Sequence, residues 1–199
     1  YKNSYHSFCP TAAVILNIDR DHLDFFSGMD DIVASFRHFA SLVPQDGVVI
    51  VNRDDANALR AVDGLDRRIM TFGLQPGADI FPQNIVCEKG FYRFEIVVSG
   101  QPWCQVRLSV PGEHNLLNAL AAAACAVYLG VAPQDFAKGI AAYRGVGRRF
   151  ESKGEYHGAL LFDDYAHHPS EIEATLKAAR SMEPRRIICV FQPHTYSRT

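Results

Sequence analysis

The strongest constraint on this chain is a switch of hydrophobic period that repeats as far as Phe72. Ala12–Ile18 is a short apolar run broken only at Asn17, the pattern of a strand buried on both faces. From Met29 to Val43 the residues Ile32, Val33, Phe36, Phe39, Ala40 and Val43 recur at helical spacing. Asp30 and Asp31 suit the positive end of that helix, and Pro44 lies just past its close. Gly47–Val51 predicts a second strand, Asp55–Ala61 a short helix and Arg68–Phe72 a third strand. Strand and helix alternating on short links require an α/β fold with a mostly parallel sheet.

Beyond residue 79 the pattern changes. Phe91–Val98 predicts a strand. From Trp103 the chain then alternates, with Cys104, Val106, Leu108 and Val110 on one face and Gln105, Arg107 and Ser109 on the other. Turns at Glu88–Gly90 and Ser99–Pro102 make this an antiparallel β meander. An alanine-rich helix is expected from His114 to Leu129, stopped by Gly130, and another from Pro133 to Tyr143. Gly145, Gly147, Arg148 and Arg149 suit a domain junction, which divides the chain into 1–150 and 151–199. Past it, Ala159–Phe162, Ser170–Ser181 and Arg186–Phe191 predict a fresh β-α-β unit.

Composition narrows the function. Lysine and arginine number 20 against 22 aspartates and glutamates, a net charge of −2. That balance argues against a nucleic-acid binder, whose phosphate contacts need a basic excess. The longest apolar stretch, Leu116–Leu129, is interrupted by Asn118 and is too short to cross a membrane. Cysteines 9, 87, 104, 125 and 189 form no CxxC pair, so reduced, mostly packed thiols in a cytoplasmic protein are expected. The chain opens on Tyr1 and stops soon after an apolar run, so both ends are expected to be cut.

Five clusters could carry chemistry. Asn17–Asp24 gathers three carboxylates around His22 beyond a strand end, either a cation site or a solvated acidic loop. In Pro111–Asn118, Asn115 and Asn118 share one face of a helical first turn. An amide donor and acceptor there could read an adenine edge, or Asn115 could be an N-cap. Gly147–Glu151 sets Arg148 and Arg149 in a flexible stretch, able to clamp phosphate or simply solvated. Phe162–Glu171 packs Asp163, Asp164, Tyr165, His167 and His168 into a strand-to-helix turn, with Ser170 a candidate helix cap. Such donors could also build a metal-dependent hydrolase. Phe191–Thr199 is polar and aromatic after a further apolar run. Phe36 and Phe39 read as core, Trp103 as a half-exposed edge residue, and His6, His38 and His157 as structural or exposed.

In order, these clusters resemble the Mur ligases, the ATP-dependent amino-acid ligases of peptidoglycan precursor synthesis. The resemblance rests on Asn-Ile-Asp-x-Asp-His-Leu-Asp, Pro-Gly-x-His-Asn-x-x-Asn-Ala, Gly-x-x-Arg-Arg-Phe-Glu, Asp-Asp-Tyr-Ala-His-His-Pro and Phe-Gln-Pro-His-Thr-Tyr-Ser-Arg-Thr. It implies the later part of a central ATPase domain over 1–150 and the start of a Rossmann-like C-terminal domain over 151–199. It implies ATP and Mg2+, with L-alanine and UDP-N-acetylmuramate as the substrates joined. The alternatives are a recycling ligase that attaches tripeptide to the same sugar nucleotide, a metal-dependent hydrolase, and a catalytically empty binding domain. Carried over by residue, the resemblance gives His22 as a metal ligand and Asn115 and Asn118 as ATP contacts. Arg149 becomes a phosphate contact, and Asp164 and Tyr165 part of the ATP site. His22, Arg149 and Asp164 are the residues on which catalysis would depend, while His167, His168, His194 and Arg198 fall where substrate contacts are expected. This chain also departs from the family pattern: no GxxxxGK[ST] loop occurs, Thr195 stands where some relatives have arginine, and Met29–Val43 contains no lysine.

Overall fold

The computed structural model describes residues 3–21 and 24–192. Strands β1 (Ala12–Ile15), β2 (Val48–Asn52) and β3 (Ile69–Phe72) alternate with helices α1 (Met29–Ser41) and α2 (Ala56–Val62). β1 pairs with β2 in parallel, Ala12 opposite Val48 and Ile15 opposite Val51. β2 pairs with β3 in parallel, Val49 opposite Ile69. Every residue of β2 is buried, as the unbroken apolar run requires of a strand covered on both faces. Ala13, Ile15, Val49 and Val51 share one core with Ile32, Val33 and Ala40 of α1 and Ala58, Ala61 and Val62 of α2. Phe36 and Phe39 pack at its margin.

Local chemistry sets the helix ends. Asp55 caps α2, its Oδ1 accepting the Ala58 N–H at 2.7 Å. Arg67 closes α1 by donating from Nε to the Val43 carbonyl (2.5 Å) and from Nη2 to that of Ser41 (3.2 Å), groups the helix itself leaves unpaired. A 3-10 turn at Ser4–Ser7 is tied to α1 through buried Ser35, whose hydroxyl donates to Asn3 Oδ1 (2.6 Å) and lies 2.5 Å from the Tyr5 hydroxyl. His6 Nε2 donates to the Ser35 carbonyl at 2.9 Å and its ring meets that of His38 at 4.4 Å. Both histidines thus have structural surroundings.

The sheet continues through β4 (Ile80–Glu88), β5 (Phe91–Val98) and β6 (Gln101–Arg107), six strands lying in sequence order. Lys89–Gly90 and Ser99–Gly100 join them as two-residue loops with positive φ throughout (49° and 83°, 48° and 79°). Such loops match the twist of antiparallel strands. The alternation past Trp103 holds: Val106 and Leu108 are buried, Gln105 and Arg107 exposed. Trp103 is half-buried against Phe136, ring centres 5.1 Å apart. Helices α3 (Glu113–Tyr128) and α4 (Pro133–Ala142) follow.

Three expectations need correction. A second antiparallel pair, β7 (Glu151–Tyr156) with β8 (Ala159–Asp163), closes on a His157–Gly158 loop (φ 48° and 80°), and only β8 was expected from sequence. Arg186–Phe191 forms no strand; Ile188 and Val190 are 72% and 94% exposed, because an extended segment becomes a strand only when a neighbour takes up its N–H and C=O groups. All five cysteines are free, as expected, but only Cys104 and Cys125 are half-buried, while Cys9, Cys87 and Cys189 are exposed. Burial, with the Glu95 charge, pushes the Cys104 thiol up to about 11.

The chain forms two compact units. One holds residues 1–83, 95–104 and 117–136, and the other 84–94, 105–116 and 137–199. Among the described residues no helix is long and apolar enough to cross a membrane.

Candidate functional site

The loop after β1 carries the first cluster. Ile18 is buried and its carbonyl accepts from Asn57 Nδ2 at 3.2 Å, pinning the loop to α2. Asp19 accepts the Arg20 N–H at 2.7 Å. His22 lies outside the described residues, as do His194, Thr195 and Arg198. Among the described residues no three His, Cys, Asp or Glu side chains gather closely enough to hold a metal.

In α3, Asn118 is exposed and Asn115 half-buried, whereas Leu116, Ala119 and Leu120 are buried. The asparagine face therefore turns from the core. Asn115 is not the N-cap, because the helix starts at Glu113. Its Nδ2 donates to the Pro111 carbonyl at 2.8 Å, bracing the amide against the turn that leads into the helix. Gly112 in that turn has φ 104°, and a Cβ there would stand 2.6 Å from His114 Cε1 and 3.0 Å from Ala178 Cβ. Only glycine fits so close an approach. Burial lowers the His114 pKa, partly offset by the Asp164 charge.

The junction and the strand-to-helix turn form the densest polar arrangement. Arg149 sits between two non-glycine residues in left-handed conformation, Arg148 (φ 59°) and Phe150 (φ 46°). That conformation costs about 1–2 kcal/mol at each, so the surroundings must hold it. Asp164 does so: Oδ2 accepts the Phe150 N–H and the Thr175 hydroxyl, both at 2.9 Å, and Oδ1 accepts the Ala166 N–H at 2.8 Å. Phe150 also stacks on Phe162 with centroids 4.3 Å apart. Arg148 lies over the Tyr165 ring at 4.7 Å, its carbonyl accepts the Tyr165 N–H at 2.8 Å, and its N–H donates to Glu151 Oε2 at 2.8 Å.

The turn ends in α5 (Pro169–Ser181), capped by His168 rather than Ser170. His168 Nδ1 lies 2.7 Å from Ser170 Oγ, because proline at the first helical position puts the preceding residue in extended geometry with its ring over the first turn. His167 Nδ1 donates to the Tyr165 carbonyl at 2.9 Å. Glu171 closes the Phe162–Glu171 cluster without an assigned role, yet Oε1 accepts from Arg149 Nη1 at 3.1 Å and Oε2 from the N–H groups of His167 (3.2 Å) and His168 (3.4 Å). Its place three residues after the cap was the available signal. Burial alone would raise the Glu171 carboxyl, but the His167 N–H, Arg149 and the His168 N–H together hold it below the ordinary carboxylate range.

This geometry removes support from a metal-dependent hydrolase. Asp163 faces Arg148 at 3.8 Å, Asp164 holds the junction, His167 faces Tyr165, and His168 caps α5. Each candidate donor has a different protein partner. A half-exposed arginine on a braced turn is instead a group that can meet an anionic ligand.

Known proteins carry the same arrangement of segments. Residues 2–126 match the Mur ligase middle domain, and residues 148–198 match the Mur ligase, glutamate ligase domain. The UDP-N-acetylmuramate–L-alanine ligase of Caldanaerobacter subterraneus subsp. tengcongensis is 47% identical over 200 aligned residues, covering 100% of this chain and 44% of that protein. That of Clostridium acetobutylicum is 44% identical, covering 100% of this chain and 43% of that protein. The crystal structure of UDP-N-acetylmuramate–alanine ligase from Thermotoga maritima superposes with a TM-score of 0.78 at 27% identity, covering 97% of this chain and 44% of that one. The chain thus spans less than half the length of these relatives. With two family domains matched in order across most of its length, the chain belongs to the Mur ligase family.

Proposed function

We propose that this chain is the later part of the ATP-binding domain and the start of the C-terminal domain of an enzyme that joins L-alanine to UDP-N-acetylmuramate, with the boundary near Phe150. The observation that carries the reading is whole-chain identity of 47% to a ligase of that name. In this reading ATP phosphorylates the muramoyl carboxylate, and the amine of L-alanine attacks the acyl phosphate. The tetrahedral intermediate then collapses to the amide, releasing phosphate. Such chemistry depends on positioning and on stabilising phosphate charge.

The chain's residues take these roles. Asn115 and Asn118 meet the adenine from the outer face of α3. Arg149 meets the phosphates, held between Arg148 and Phe150. Asp164, through its bonds to Phe150, Ala166 and Thr175, keeps the junction in the conformation that presents Arg149. Tyr165 sits beside the nucleotide, while His167 and His168 face substrate together with His194 and Arg198. Mg2+ would screen the triphosphate charge. The described residues do not by themselves assemble a site for it, and His22 is the residue that the family resemblance offers.

The test uses the whole ligase that carries this chain. Phosphate release is expected to require ATP, UDP-N-acetylmuramate and L-alanine together. Release driven by a tripeptide in place of L-alanine would assign the recycling activity instead, and hydrolysis without ATP would reject both.

A further inference from the structure

We infer that Glu171 is a positioning residue for this ligation, orienting Arg149 and the His167–His168 turn through one carboxylate. The inference rests on the reading of Arg149 as a phosphate contact. A capping box accounts for part of what Glu171 does, since the third helical residue commonly reaches back to the cap N–H. It does not account for the rest. The same carboxylate also accepts the His167 N–H at 3.2 Å and spans 22 residues of sequence to Arg149 Nη1 at 3.1 Å. The His167 ring nitrogen Nδ1 lies 3.7 Å from Oε2. One side chain thus links the junction, the turn and the helix.

The physical need is clear at Arg149. Its side chain is half exposed, and a long side chain in solvent samples many rotamers. A carboxylate holding one of the guanidinium's five N–H groups narrows the orientations open to the fork. The other donors are then left available to an anion within that narrowed range. Glu171 is itself fixed, because Oε2 is held by two backbone N–H groups. The carboxyl remains ionised at neutral pH, since its partners hold it below the ordinary range.

Two measurements test this. In the 199-residue chain, the Arg149 Nε–H resonance should be sharp in the wild type and broaden in Glu171→Gln, which keeps an acceptor for the helix cap. In the whole ligase, Glu171→Gln should lower kcat/KM for ATP roughly tenfold, but less than twofold when Arg149 is already alanine; such non-additivity marks residues acting as a unit. Glu171→Asp should fail to rescue, because the shorter side chain cannot reach both partners. An equal loss in both backgrounds, or an unchanged Arg149 resonance, would overturn the positioning role. Full activity in Arg149→Ala alone would instead remove Arg149 from the phosphate site, and the inference with it.

Discussion

Replacing Asp164 with alanine should release the junction from its left-handed conformation. The carboxylate accepts three hydrogen bonds, from Phe150 N–H, Ala166 N–H and the Thr175 hydroxyl. Bonds to a charged group contribute about 1.5–3 kcal/mol each. The site is half-buried and water can reach the freed donors, so about 1 kcal/mol each, or about 3 kcal/mol together, is the appropriate scale. Against this stands backbone strain at Arg148 and Phe150 of about 2–4 kcal/mol in total. The Phe150–Phe162 stack offsets only about 1 kcal/mol of it. The two sides are close enough that losing Asp164 should tip the junction out of its observed form. Amide hydrogen exchange measures this directly. About 3 kcal/mol corresponds to roughly a hundredfold loss of protection at Phe150 and Ala166, with the amides of β2 unchanged. If Phe150 and Ala166 exchange at wild-type rates in Asp164→Ala, the carboxylate does not hold the junction.

Other perturbations test neighbouring parts of the structure. His114 has a lowered folded pKa, so the unfolded chain binds more protons as pH falls. Stability should be complete above pH 6.5 and decline as pH drops through that value toward the lower folded pKa. A His114→Gln chain, unfolded in urea at a series of pH values, should lose that part of the slope; an unchanged slope would contradict the assignment. Arg67→Ala should cost about 1–2 kcal/mol by freeing the carbonyls of Ser41 and Val43, read as a melting temperature about 5 °C lower, and an unchanged melt would show that water replaces the guanidinium without loss.

Much of the fold was legible because its signals are local. The apolar run of β2, the spacing of α1 and the short helix expected over Asp55–Ala61 are each signalled within a few residues of sequence, and each appears in the structure, the last as Ala56–Val62 capped by Asp55. Pairing was less legible. β7 reads Glu-Ser-Lys-Gly-Glu-Tyr and is mostly exposed, so it has no buried face to impose alternation, and its His-Gly loop is a weaker signal than Asn-Gly. The apolar residues of 186–191 carried the opposite error, since hydrophobicity alone does not supply a neighbour.

The site divides in the same way. Its residues were visible as motifs, but their connections were not. Nothing local to Pro169–Ser170–Glu171 reveals that the glutamate reaches Arg149, or that Asp164 holds the backbone of Phe150. The cap was misplaced by two residues because a histidine in that role is unusual, while serine is a common cap.

The proposed ligation stands or falls on transfer of the phosphoryl group to the muramoyl carboxylate. With that carboxylate labelled by oxygen-18, formation of an acyl phosphate and its displacement by L-alanine must leave one labelled oxygen in the phosphate released. That label is expected in inorganic phosphate at each turnover of the whole ligase. Unlabelled phosphate, with the oxygen lost from the carboxylate recovered in water instead, would contradict it.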